Sequence, residues 1–266
     1  MKIFKATLAI LFLMIAFISC SKDNKSPAPV TVTPLVKETV VTYPNYRVVF
    51  DNTYDDEKRL ISAGINSGLI TYNAGGFEIV STYADGSKSI TDVSLENGRI
   101  GTVLNYAAAN DRYNSTFSYD GKGRLVNILQ TRTYNGQVIY HLAFTYSWDD
   151  NDDLVNSNLI TDSGSDNVSY SGFSAENVNT LGGKNFGFDY FGTTDYPSDY
   201  VPNNNGGSGF IFPSVYAGKL LPSVIKMSGK TYNVTYHKNT LGYIDKIEQV
   251  NATDATDMTI TDISYE

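Results

Sequence analysis

From Tyr46 onward, apolar residues fall on alternate positions: Tyr46, Val48 and Phe50; Phe77 and Ile79; Tyr113, Phe117 and Tyr119. The longest such run is Val138, Tyr140, Leu142, Phe144 and Tyr146, interleaved with His141, Ala143, Thr145 and Ser147. A period of two sends one set of side chains toward a core and the other toward water, so these runs read as half-buried strands. The segments between them are rich in Asp, Asn and Gly, the residues of tight turns that need φ > 0.

The strands repeat a pattern. Phe117-Ser118-Tyr119 is followed by Asp120-Gly121-Lys122-Gly123 and then Arg124-Leu125-Val126, and Ile70-Thr71-Tyr72 leads through residues 73–76 to Phe77-Glu78-Ile79. Val93-Ser94-Leu95 before Arg99-Ile100 is a shorter copy, and Phe144-Thr145-Tyr146 and Val234-Thr235-Tyr236 precede longer turns that end at Leu154 and Ile244. Asn52-Thr53-Tyr54 before Arg59-Leu60 fits the spacing less well. Each unit reads as a hairpin, and hairpins cannot bury a face alone, so stacked copies should share one antiparallel sheet. The expected fold is all-β: an antiparallel β-meander of hairpin repeats forming a curled sheet, with one long insertion and at most a short helix.

The Tyr-Asp-Gly-Lys-Gly-Arg-Leu stretch at 119–125 resembles the tyrosine-aspartate repeats of Rhs-type proteins. Together with the N-terminal features below and Leu-Pro-Ser-Val-Ile at 221–225, it resembles uncharacterised outer-membrane lipoproteins of Bacteroidetes. That resemblance implies a β-meander lipoprotein of unknown activity and brings no catalytic residues with it; the repeats are few and degenerate, so a closed Rhs-style shell is not expected, and whether the sheet closes is not fixed by the sequence.

The first residues are of another kind. Lys2 and Lys5 precede an apolar run from Ala6 to Ile18, and Phe17-Ile18-Ser19-Cys20 resembles a lipobox. The run is about 13 residues, too short to cross a bilayer of about 30 Å as a helix. Residues 1–19 are therefore expected to be a signal peptide and Cys20 the acylated N-terminus, carrying diacylglycerol and an acyl chain. Residues 20–42, with Pro27, Pro29 and Pro34, read as an extended tether of about 3.1 Å per residue. The β domain is expected over 43–266. The implied location is the cell envelope, lipid-anchored at the outer membrane.

From 182 to 222 the rhythm breaks. Asp, Asn and Gly surround Tyr190, Tyr196 and Tyr200, while Pro197 and Pro202 exclude a central strand. A short helix is expected from Pro213 to Leu221, stopped by Pro222. Long loops on β scaffolds carry binding functions, so Tyr190, Tyr196, Tyr200 and the lone Trp148 are candidate ligand contacts through aromatic faces.

Composition narrows the chemistry. The 20 Tyr and 13 Phe favour strand, and a net charge of −8 argues against nucleic acid as a partner. With Cys20 consumed by acylation, no thiol remains for a disulfide or a thiolate metal site. Asp149, Asn151 and Asp153 sit at the alternate positions of a calcium loop, but Leu154 and Ile160 occupy the places of its Gly and Glu, so a solvated turn is the better reading. His141 and His237 have no ligand spacing around them, and no nucleophile elbow or phosphate loop is present. No cofactor is expected beyond the lipid. The sequence points to a non-catalytic envelope protein, held to the membrane by its lipid, that binds a glycan, a peptide or a partner protein. A surface hydrolase using scattered Asp and Glu and a structural spacer stand as alternatives.

Overall fold

The computed structural model describes residues 34–63, 68–83, 85–177 and 220–266. Every regular element among them is a strand: β1 (Val36–Thr42), β2 (Arg47–Tyr54), β3 (Leu60–Ala63), β4 (Gly68–Asn73), β5 (Gly76–Thr82), β6 (Lys88–Glu96), β7 (Arg99–Ala108) and β8 (Asp111–Tyr119). They continue as β9 (Leu125–Tyr134), β10 (Gln137–Trp148), β11 (Leu154–Thr161), β12 (Gly164–Asn177), β13 (Leu220–Met227), β14 (Lys230–Lys238), β15 (Ile244–Asn251) and β16 (Asp254–Tyr265). Each pairs antiparallel with its sequence neighbours, and β1 pairs with β16 through Thr39–Ile263 and Val41–Thr261, closing a sixteen-strand barrel.

The expected curled-sheet meander is thereby corrected to a closed barrel. Closure leaves no sheet edge, so the edge N–H and C=O groups that an open meander would expose are paired. The closing strand β1 lies within the stretch read as tether and begins at Val36, ahead of residue 43. The last tether proline is Pro34, after which Val36, Val40 and Val41 are buried against the ring. The expected short helix lies outside the described residues up to 219. Leu220 and Leu221 instead open β13, and Pro222 sits near its start opposite Phe173, where a missing N–H is tolerated.

Alternation along the chain sends odd and even strands in opposite directions, which gives the barrel two distinct ends. At one end, here the base, even strands finish and odd strands begin. Both termini of the ring meet there, Leu35 N–H donating to the Glu266 carbonyl at 3.3 Å and Glu266 N–H to that of Leu35 at 2.9 Å. β12 ends and β13 begins at this same end. The other end is the mouth, where the remaining hairpins turn.

The tyrosine-aspartate units are base turns of one geometry. In the turns opening at Asp55, Asp120, Asp149 and Asn239, the side-chain Oδ1 accepts the N–H groups two and four residues on, at 2.8–3.1 Å. The fourth residue of each, Lys58, Gly123, Asp152 or Gly242, has φ between 61° and 87°. The 52–60 unit, irregular in sequence, adopts the same turn. After these turns Leu60, Leu125, Leu154 and Ile244 open their strands at 0–3% exposure.

Candidate functional site

The chemistry this barrel can perform depends on what faces inward and outward. Inward residues form one continuous apolar cluster drawing on strands around the ring, among them Phe77, Phe117, Ile128, Phe144, Ile225 and Ile247, each 1–7% exposed. Sixteen strands can enclose an aqueous channel, yet these inward side chains are almost wholly shielded from solvent. Toward the mouth the inner face turns polar: Gln130 donates to Ser115 Oγ at 3.0 Å, Asn105 to Thr91 Oγ1 at 2.7 Å, and Ser157 and Tyr170 share a hydrogen bond of 3.2 Å. At the rim, Arg132 grips both oxygens of Asp111 at 2.9 and 2.7 Å with its guanidinium 5.1 Å from the Tyr113 ring centre. Opposite strands place Lys230, Tyr232 and Asn251 on Asp257 Oδ2 at 2.8, 3.1 and 2.9 Å. The Arg132 guanidinium holds the Asp111 carboxyl below the usual carboxylate range, and the Lys230 ammonium does the same for Asp257.

The outer wall is largely polar. One paired row reads Ser118–Asn127–Thr145–Asn158–Asn167, and another Ser147–Asn156–Ser169–Lys226–Thr231. Glu78 and Asp92 lie side by side in a third row, and His237, Lys246 and Asp262 in a fourth. His237 Nε2 lies 3.4 Å from Glu248, and Lys246 pairs with the same carboxylate, holding it below its ordinary range. A membrane-spanning barrel carries the reverse pattern, apolar outward, and a Lys or Arg on its lipid face at the midplane costs about 2–4 kcal/mol.

At the base a second system of contacts recurs. The aromatic ending an even strand donates to the carbonyl of a residue opening the preceding odd strand: Tyr54 to Val36 at 2.7 Å, Tyr72 to Leu60 at 2.9 Å, Tyr119 to Ile100 at 2.9 Å and Trp148 to Leu125 at 2.7 Å. Tyr236 does the same to Pro222 at 2.6 Å, and Tyr265 to Ile244. Arg59, Arg99 and Arg124, each preceding the acceptor residue, lie 5.0–5.8 Å over the rings of Tyr72, Tyr119 and Trp148. Burial pushes the Tyr72 phenol up to about 12 and Tyr236 higher still, so both remain donors at any physiological pH.

The residues singled out from sequence distribute as follows. Trp148 occupies one of these donor positions, half-buried, with its N–H used within the chain. Asp149 Oδ1 accepts the N–H groups of Asn151 and Asp153, while Asp153, 2% exposed, accepts the Leu220 N–H at 2.9 Å. Among the described residues no group of three or more His, Cys, Asp or Glu side chains is placed to hold a metal. Cys20, Tyr190, Tyr196 and Tyr200 lie outside the described residues. Sequence reasoning passed over Arg59, Arg99 and Arg124, whose signal was their fixed place immediately before the aliphatic residue that opens a strand. It also gave Val138 core parity, whereas a bulge between Val138 and Tyr140 turns it outward opposite Thr133, 54% exposed.

No protein-family model and no curated relative matches the chain. Solved structures do match, two of them as follows. A porin-like protein from Bacteroides uniformis ATCC 8492 superposes with a TM-score of 0.61 at 15% identity, over 88% of this chain and 99% of that one. A porin-like protein from Bacteroides vulgatus ATCC 8482 gives 0.57 at 13% identity, over 87% and 98%. These neighbours overturn the assignment to a lipoprotein family of tyrosine-aspartate repeats: the repeated units are hairpins of a closed barrel, and the short turn motif that carried the resemblance fixes a local turn in either architecture. At such identities the likeness establishes the fold, a closed antiparallel β-barrel of porin-like type.

Proposed function

We propose that this chain is a non-catalytic barrel working in water at the outer membrane, where it recognises a glycan, a peptide or a partner protein, rather than a pore through the membrane. One observation carries the reading: the buried apolar side chains face in, while the outward rows are predominantly Ser, Thr, Asn and charged residues, with apolar positions such as Ile90, Leu129 and Ile160 set among them. Such a wall is stable against water and unstable against hydrocarbon. The porin-like names of the structural neighbours support the outer membrane as the location. A lipid on Cys20 would hold the barrel there through the Pro-rich segment. Among the described residues every carboxylate with a displaced pKa, such as Asp55, Asp111, Asp120 and Asp257, is held low, the opposite of what a general acid requires.

The rival reading is a channel, favoured by the strand number and by the porin-like names of the structural neighbours. Purification without detergent and planar-bilayer recording separate the two. The proposal expects a monodisperse protein in plain buffer and no conductance steps; discrete steps, or a strict need for detergent with Cys20 replaced by Ala, would decide for the channel. Acyl-chain labelling of wild type against Cys20→Ala tests the anchor independently.

A further inference from the structure

We infer that a second copy of this chain docks on the outer wall of β4–β7, about a two-fold axis running along the row Leu69–Val80–Ile90–Tyr106. These four residues are directly paired across four adjacent strands, so they form one outward line. Leu69 is 62%, Ile90 37% and Tyr106 38% exposed. Other outward rows are polar, as in Ser118–Asn127–Thr145–Asn158–Asn167, or mixed, as in Thr116–Leu129–Ala143–Ile160, whereas this one is apolar at all four positions. The ring is closed, which rules out strand addition at an edge and leaves face-to-face contact as the way to cover the row.

Charge selects the occupant. Lys88, Ile90 and Asp92 alternate along the outer face of β6, one charge on each side of the apolar row. Both are exposed, and neither has an ion pair among the described residues. A two-fold axis along the row reverses strand direction while keeping position around the ring. Lys88 of each copy then faces Asp92 of the other, and Val80 and Ile90 meet their own counterparts. An axis along the strands would set Lys88 against Lys88 and Asp92 against Asp92, which repel. A lipid surface is a poorer occupant, because Asp92 and the neighbouring Glu78 would be pressed against it.

The test uses the full chain with Cys20 replaced by Ala. Ile90→Cys should form a disulfide-linked dimer under mild oxidation, and Asn233→Cys, outward on β14, should not. Equal cross-linking of the two would overturn the proposal. By sedimentation over a concentration series, Lys88→Asp or Asp92→Lys should each weaken dimerisation about tenfold or more, and Lys88→Asp combined with Asp92→Lys should restore it. A protein that is monomeric at every concentration, or a dimer indifferent to both single changes, would sink it. All four positions lie on the outer surface, and an unchanged melting temperature certifies that each variant is folded.

Discussion

The indole N–H of Trp148 donates to the carbonyl of Leu125 at 2.7 Å, while the guanidinium of Arg124, the residue before that carbonyl, lies 5.8 Å over the same ring. One aromatic at the end of β10 thus grips the start of β9 at two points. The same grip joins Tyr72 to Arg59 and Leu60, and Tyr119 to Arg99 and Ile100. These contacts lock neighbouring strands at the base, where the apolar core is densest.

Trp148→Phe keeps an aromatic face but trims the ring and removes the donor, taking from the buried Leu125 carbonyl its indole partner. The expected loss is about 1–3 kcal/mol, read by denaturant unfolding followed by circular dichroism. Trp148→Phe also removes the chain's only Trp, so in the parent protein the fluorescence of that indole should report the opening of the base. A variant as stable as the parent would show that the grip contributes nothing.

Gly123 separates two costs. Its φ of +82° is strained for any other residue, and an added Cβ would fall 2.1 Å from the Arg99 guanidinium. Gly98 has φ +76° with nothing within 4 Å. Gly98→Ala should cost about 1 kcal/mol from the backbone alone. Gly123→Ala should cost more, because Arg99 must leave the Tyr119 ring. Equal melting temperatures for the two variants would remove Arg99 from the account.

The acid limb of stability should come from the base turns and the rim. The Asp120 carboxyl is held below its ordinary value of 3.8 first by the Arg124 backbone N–H, and Asp55 likewise by that of Arg59. A depressed folded pKa adds stability that is fully present above the unfolded value and is lost as pH falls through the folded one. Thermal stability should therefore be level above about pH 5 and fall below about pH 4. Asn239 performs the same turn without a charge, so Asp120→Asn should fold normally at neutral pH and show a shallower acid decline. An unchanged acid limb would place the pH dependence elsewhere.

Asp153 ties the start of β13 to the turn before β11 through the Leu220 N–H. Asp153→Ala should cost about 1–3 kcal/mol and speed hydrogen exchange at Leu220, while Asp153→Asn, which keeps an acceptor, should do neither in full. Unaltered exchange at Leu220 in the Ala variant would refute the tie.

Local structure was legible because it is written locally. The Asp-x-x-Gly-Arg-Leu unit at 120–125 contains its own acceptor, its left-handed residue and its first core side chain, so a few neighbouring residues specify the turn. Alternation likewise announced β8 and most of β10. It failed at Val138, where one bulged residue reverses the face, and at Val36–Thr42, where three nearby prolines disguised a strand as tether.

The sequence by itself determined that the chain is built of antiparallel hairpins with aromatic ends, because period-two burial and φ > 0 turns are properties of short segments. Only the tertiary structure decided that the hairpins close into a ring, since closure rests on Val36–Thr42 meeting Asp254–Tyr265 across the whole length of the chain. It also decided which face is in. Alternation says that two faces differ, and only the closed ring shows that the more apolar one lines the interior while the more polar one faces outward.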